Sequence, residues 1–144
     1  MPQAMPTDFQ ERCDLIEASY EFTLSFAAQG LPTDEGSQSG KQLRQHLARA
    51  VEAIRGIELS YAAVVEQQQL EPAERYQAFF AVLARDAESA LAAIELVLAQ
   101  PAISSQLIDN LNASIHLRAL LTDLFLVAEI LELRQQQPKP VAST

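Results

Sequence analysis

From Phe9 onward, apolar side chains return at Cys13, Ile16, Tyr20, Leu24 and Ala27, in steps of three and four that place them along one side of a helix. Thr7 stands where an N-cap belongs, with Gln10 three residues on at capping-box spacing, and Gly30 followed by Pro32 closes the segment. A second stripe, Leu43, Leu47, Ala50, Ile54, Ile57, Tyr61 and Val65, predicts a helix from about Lys41 to Gln69. Gly56 lies off that stripe. It reads either as room for a close neighbour or as a tolerated defect costing ~1 kcal/mol relative to alanine. Pro72 suits the first turn of a third helix, which carries Tyr76, Phe79, Phe80, Leu83, Ala87, Ala90, Ile94 and Val97 and stops before Pro101. Ser104 or Ser105 caps a fourth helix reaching about Gln137, before Pro138 and Pro140.

The pattern predicts an all-α antiparallel four-helix bundle with up-down-up-down topology. Residues 1–144 read as a single domain, ordered over about 7–137, with a disordered tail over 138–144. The longest connection, Gly30 to Gly40, holds three of the four glycines of the chain, but their spacing fits neither phosphate-binding loop pattern.

The fourth helix departs from a simple amphipathic pattern. At about 100° per residue its apolar positions fall into two arcs. One holds Ala113, Leu117, Leu120, Leu121, Leu124, Val127, Ala128 and Leu131; the other holds Ile108, Ile115, Ala119, Leu126, Ile130 and Leu133. The first helix repeats this weakly, with Leu15, Phe22 and Phe26 beside its main stripe. One bundle core absorbs one arc. The other needs a partner, and two-fold pairing of identical chains is the commonest arrangement. Helices one and four are neighbours in the simplest bundle. The expected interface is therefore Phe22, Phe26, Ile115, Ala119, Leu126, Ile130 and Leu133, and the expected state is a homodimer.

Charge narrows the partners. With 19 acidic and 10 basic residues the formal net charge is −9, which disfavours nucleic acid and anionic membrane surfaces. Lys41, Arg44, Arg49 and Arg55 are interleaved with Glu52 and Glu58 and read as ordinary helix-surface pairs. A single cysteine, Cys13, and a start without a basic and apolar leader lead to the expectation of a cytoplasmic protein.

Candidate chemistry is sparse. Leu43 and Ala113 occupy the positions three before His46 and His116, so the Glu-x-x-His spacing of a di-metal bundle is missing. No metal, cofactor or catalytic residue is expected. Cys13 sits in the apolar stripe of helix one and reads as a small core side chain rather than a nucleophile. Asn112-Ala113-Ser114 matches a glycosylation acceptor but falls inside a predicted helix. The string His46-Leu47-Ala48-Arg49-Ala50 resembles, over five residues, the phosphohistidine motif of histidine phosphotransfer domains, which are small acidic helical bundles. Arg49 matches the basic position, and Ala50 stands where those domains have glycine. The resemblance implies a phosphoryl acceptor at His46, whereas helical projection places His46 at the edge of the core stripe beside Leu43 and Ala50.

The residues together predict a non-enzymatic protein-interaction module of adaptor, chaperone-like or regulatory type. A domain binding a small apolar ligand among Phe22, Phe26, Phe79, Phe80 and Phe125 is the alternative, with phosphotransfer through His46 behind it.

Overall fold

The computed structural model describes residues 7–136, and every regular element among them is helical. The helices are α1 Asp8–Ala28, α2 Gln38–Ile54, α3 Ile57–Gln67, α4 Ala73–Leu98, α5 Ser105–Ala113 and α6 Ile115–Gln136. The tail expected to be disordered lies outside the described residues.

Six helices stand where the periodicity predicts four, because two of the four stretches are broken. The first break is Gly56, with φ +75°, a left-handed conformation that side chains with a Cβ seldom adopt. A Cβ there would meet nothing within 4 Å, so it is the backbone angle that calls for glycine at this position. Ending α2 in the interior leaves carbonyls without helical partners. Arg12 of α1 supplies them: its guanidinium donates to the carbonyls of Ala53 at 3.0 Å and Arg55 at 2.6 Å while Asp8 holds it at 2.9 Å. Across the break Ile57 and Tyr61 continue the buried stripe and Val64 joins them, while Val65, expected in the stripe, is only half-buried.

The second break is Ser114, whose extended backbone (ψ 143°) ends α5, while its hydroxyl accepts from Leu117 N–H at 3.3 Å to start α6. The break resets helical phase. Ile108, grouped by continuous periodicity with the outer arc, is fully buried, and Ala113, grouped with the core arc, is exposed.

Helix α1 packs along α2 and α5, α4 packs against α2 and α3, and α6 packs on α4 and α5. Tyr76 and Phe79 of α4 sit by Ile130 and Leu126 of α6, so these two helices run antiparallel. Leu43, Leu47, Ile54, Leu83, Ile103, Ile108 and Leu120 form the centre of the core, all at 1% exposure or less.

The loop between α1 and α2 is tightly bound. Ser105 N–H donates to the Leu31 carbonyl and Leu31 N–H to the Ser105 hydroxyl, both at 2.9 Å. Asp34 is buried, accepts from Ile103 N–H at 2.7 Å, and pairs with Arg44 at 2.6 Å. Arg44 in turn donates to the carbonyls of Leu98 and Gln100 at the end of α4. This corrects the reading of Arg44 as an ordinary surface charge. Gly40 follows from the same junction, since a Cβ on it would overlap the Asp34 carbonyl. Burial opposes the Asp34 charge, but the hydrogen bonds from Arg44 and Ile103 and the Arg44 charge outweigh it and lower its pKa.

Arg44→Met keeps the aliphatic stem but leaves Asp34 buried without a counter-charge, and is expected to cost about 2–4 kcal/mol in urea unfolding at pH 7. Asp34→Asn, which retains an acceptor for Ile103, should cost less. Because the folded pKa of Asp34 is depressed, its stabilisation is present above the unfolded carboxylate range and is lost as pH falls through the folded value. The wild type should therefore lose stability in acid more steeply than Asp34→Asn.

Candidate functional site

The outer side of α6 is where the second apolar arc comes to lie. Ile115 is 75% exposed, Leu126 51% and Leu133 50%, with Ala119 and Ile130 half-buried between them. The core side of the same helix, Leu117, Leu120, Leu121, Leu124 and Val127, is buried. A break at Ser114 leaves phase within α6 untouched, so the two arcs separate from residue 115 onward as periodicity predicts, except that Ala128, grouped with the core arc, is exposed and Leu131 is only half-buried.

The remaining expected interface residues lie elsewhere. Phe26 is wholly enclosed in the core and offers no surface to a partner. Phe22 is half-buried and stacks on His46, with ring centroids 4.4 Å apart and planes 17° from parallel. That contact accounts for the edge position of His46: one face of its ring is closed by Phe22, and burial, then the Arg49 charge, lowers its pKa.

Leu126 and Ile130 also form one wall of an apolar cleft of about 280 Å3, whose opposite side is Tyr61, Pro72, Tyr76 and Phe79. Tyr61 is fixed by a 2.8 Å hydrogen bond from its hydroxyl to the Tyr76 carbonyl and by edge-on packing against Phe79 at 6.2 Å. Among the described residues, Arg75 is the one charged side chain lining this cleft. The five phenylalanines suggested for a ligand cavity are therefore not brought together: Phe79 is here, Phe26 is in the core and Phe125 is on another groove. In the middle of the bundle, between Ile16, Leu47, Ile94 and Leu117, the free space is only about 20 Å3.

The other groove lies between α1 and α6 and measures about 380 Å3. Cys13 opens into it. Its thiol pKa is pushed up to about 12, first by burial and then by Asp14 and Glu17, so at neutral pH it is a protonated apolar contact.

One buried polar pair escaped the reading of the sequence. Asp123 belongs to neither apolar arc of α6, yet its side chain is buried against Asp86 of α4, and its Oδ2 has no hydrogen-bond partner among the described residues. Burial, followed by the hydrogen bond and charge of Asp86, raises its pKa to about 7. Asn112 is also buried with neither amide atom hydrogen-bonded among the described residues, which removes it from consideration as a glycosylation acceptor. Among the described residues no three His, Cys, Asp or Glu side chains gather as a metal would need, and no helix is long and apolar enough to cross a membrane.

The Asp123 pair makes stability depend on pH. A carboxyl whose folded pKa is raised holds its proton in the native state after the unfolded chain has released it. Stability therefore falls as pH climbs from about 4 to about 7 and levels above that. Asp123→Asn replaces the protonated acid with a neutral donor to Asp86. It should match wild type near pH 4 and be more stable by roughly 1–3 kcal/mol at pH 8, measured by thermal melts across that range. No known protein family, curated protein or solved structure matches this chain.

Proposed function

We propose that this chain is a non-enzymatic protein-interaction module that pairs with a second copy of itself through the outer face of α6. The observation that carries the reading is the strip Ile115, Ala119, Leu126, Ile130 and Leu133. Its spacing keeps the side chains within about 60° of one another around the helix, and three of the five are half exposed or more. Exposed apolar surface is unfavourable by roughly 25 cal/mol per Å2, and covering such a strip with its own symmetry mate satisfies both copies at once. The strip runs into the cleft beside Tyr76 and Phe79, so side chains from a second copy have a recess to enter. In this reading the protein acts in the cytoplasm as an adaptor, chaperone-like or regulatory bundle.

The same cleft supports the second reading, a site for a small apolar ligand. Its walls are aromatic and aliphatic, and Arg75 at its edge suits a ligand with an acidic group. Phosphotransfer has less to stand on, because His46 is half-buried beneath Phe22.

Two substitutions on opposite sides of α6 test the pairing. Leu126→Glu places a charge on the exposed strip and should give a folded monomer, whereas Leu124→Glu forces a charge into the core and should unfold the chain. Sedimentation and circular dichroism on both variants decide the matter. A wild type that remains monomeric at high concentration overturns the homodimer.

A further inference from the structure

We propose that the groove between α1 and α6 is a receptor for a basic amphipathic helix of a partner protein, on a surface separate from the self-pairing strip. In the simplest bundle the first and last helices close against each other. Here α5 runs beside the C-terminal half of α1, from the Ser105 hydroxyl on the Phe26 carbonyl at 2.6 Å to Leu111 by Tyr20. After the break at Ser114, α6 continues against α4 and hardly touches α1. Among the described residues, the N-terminal half of α1 and the C-terminal half of α6 stand as two walls with a channel between them.

The floor of the channel is the core itself. Phe9, Ile16, Leu121 and Leu124 are buried side chains that reach it from below, and Phe125 stands half exposed on the α6 wall. The wall on α1 runs from Phe9 to Glu17, about 12 Å, and that on α6 from Leu121 to Gln135, about 21 Å. Two helices framing a trough with an apolar floor and polar rims, about two turns long on one wall and four on the other, fit a third helix, which would enter with side chains at i, i+4 and i+7. A volume of about 380 Å3 accommodates several aliphatic side chains.

Charge selects the occupant. Among the described residues the lining carries Asp14, Glu17 and Glu132 and no Lys, Arg or His. A second copy of this chain, with net charge −9, would add like charge at that rim, whereas a helix with Lys or Arg flanking its apolar stripe would meet carboxylates on both sides. The strip proposed for self-pairing is on the other flank of α6, where Leu126 points away from the groove that Phe125 enters.

The probe is a fluorescein-labelled helical peptide of about 14 residues, with leucines at i, i+4, i+7 and i+11 and lysines on both flanks, against a control with glutamates in place of lysines. At low salt the lysine peptide should bind the full-length protein at least ~10-fold more tightly than the control, with the preference shrinking as salt rises. Phe125→Ser, which leaves net charge unchanged, should weaken binding ~5-fold or more, while Leu126→Ser should stay within about twofold of wild type. Circular dichroism checks that both variants are folded. Should Phe125→Ser not fold, Glu17→Lys on the exposed rim replaces it, with the same loss expected. No binding by the lysine peptide overturns the proposal. So does equal binding of both peptides, an undiminished affinity in the groove variant, or a loss confined to Leu126→Ser.

Discussion

A single buried carboxylate governs how this chain closes on itself. Asp34 lies in the loop between α1 and α2, and removing its charge from water is costly unless a partner is brought to it. Arg44 is that partner, and a guanidinium has more donors than one carboxylate can use. The surplus is spent on the carbonyls of Leu98 and Gln100, while Asp34 also receives Ile103 N–H. One ion pair thereby joins the first loop, α2, the end of α4 and the approach to α5. Ser105 fastens the same loop from the other side through Leu31. The course of α5 along α1 depends on this junction, and the divergence of α6 from α1 depends on the course of α5.

The two helix breaks show the same principle on a smaller scale. A helix interrupted inside a protein exposes carbonyl and amide groups that must be satisfied locally. At Gly56 the guanidinium of Arg12 reaches across from α1 to do so, and at Ser114 the hydroxyl serves the first turn of α6. Each break turns one predicted long helix into two shorter ones. The second break has the larger consequence, because it separates a helix that closes the bundle from one that leaves a groove open beside it.

As a result α6 carries three kinds of surface. One side is core, one is an exposed apolar strip continuous with an aromatic cleft, and one borders an acid-rimmed trough. The contact with α4 is not optimised for stability alone, since Asp123 is buried there against a second carboxylate. An apolar residue at that position would remove the conflict. The paired carboxylates instead tie the α4–α6 contact to the protonation of Asp123.

What the sequence determined by itself is whatever depends on local periodicity and caps. The helical class, the caps at Thr7 and Ser104, and the division of α6 into a buried and an exposed arc all follow from spacing along a continuous helix, because neighbours three and four apart share a face wherever that helix is placed. The tertiary structure decided the features that depend on residues distant in the chain. In sequence Gly56 reads as a defect or a close approach, and only the fold brings Arg12 to the helix end it creates; Arg44 reads as one surface cation among several, and only the fold buries Asp34 beside it. Phe26 and Phe22 shared a face by projection, yet one is enclosed by the core and the other is taken up by His46. Periodicity records which side chains point the same way; it holds no information on what stands opposite, and in this fold it is the opposing group that decides whether a charge is paired, a helix ends or an apolar face remains uncovered.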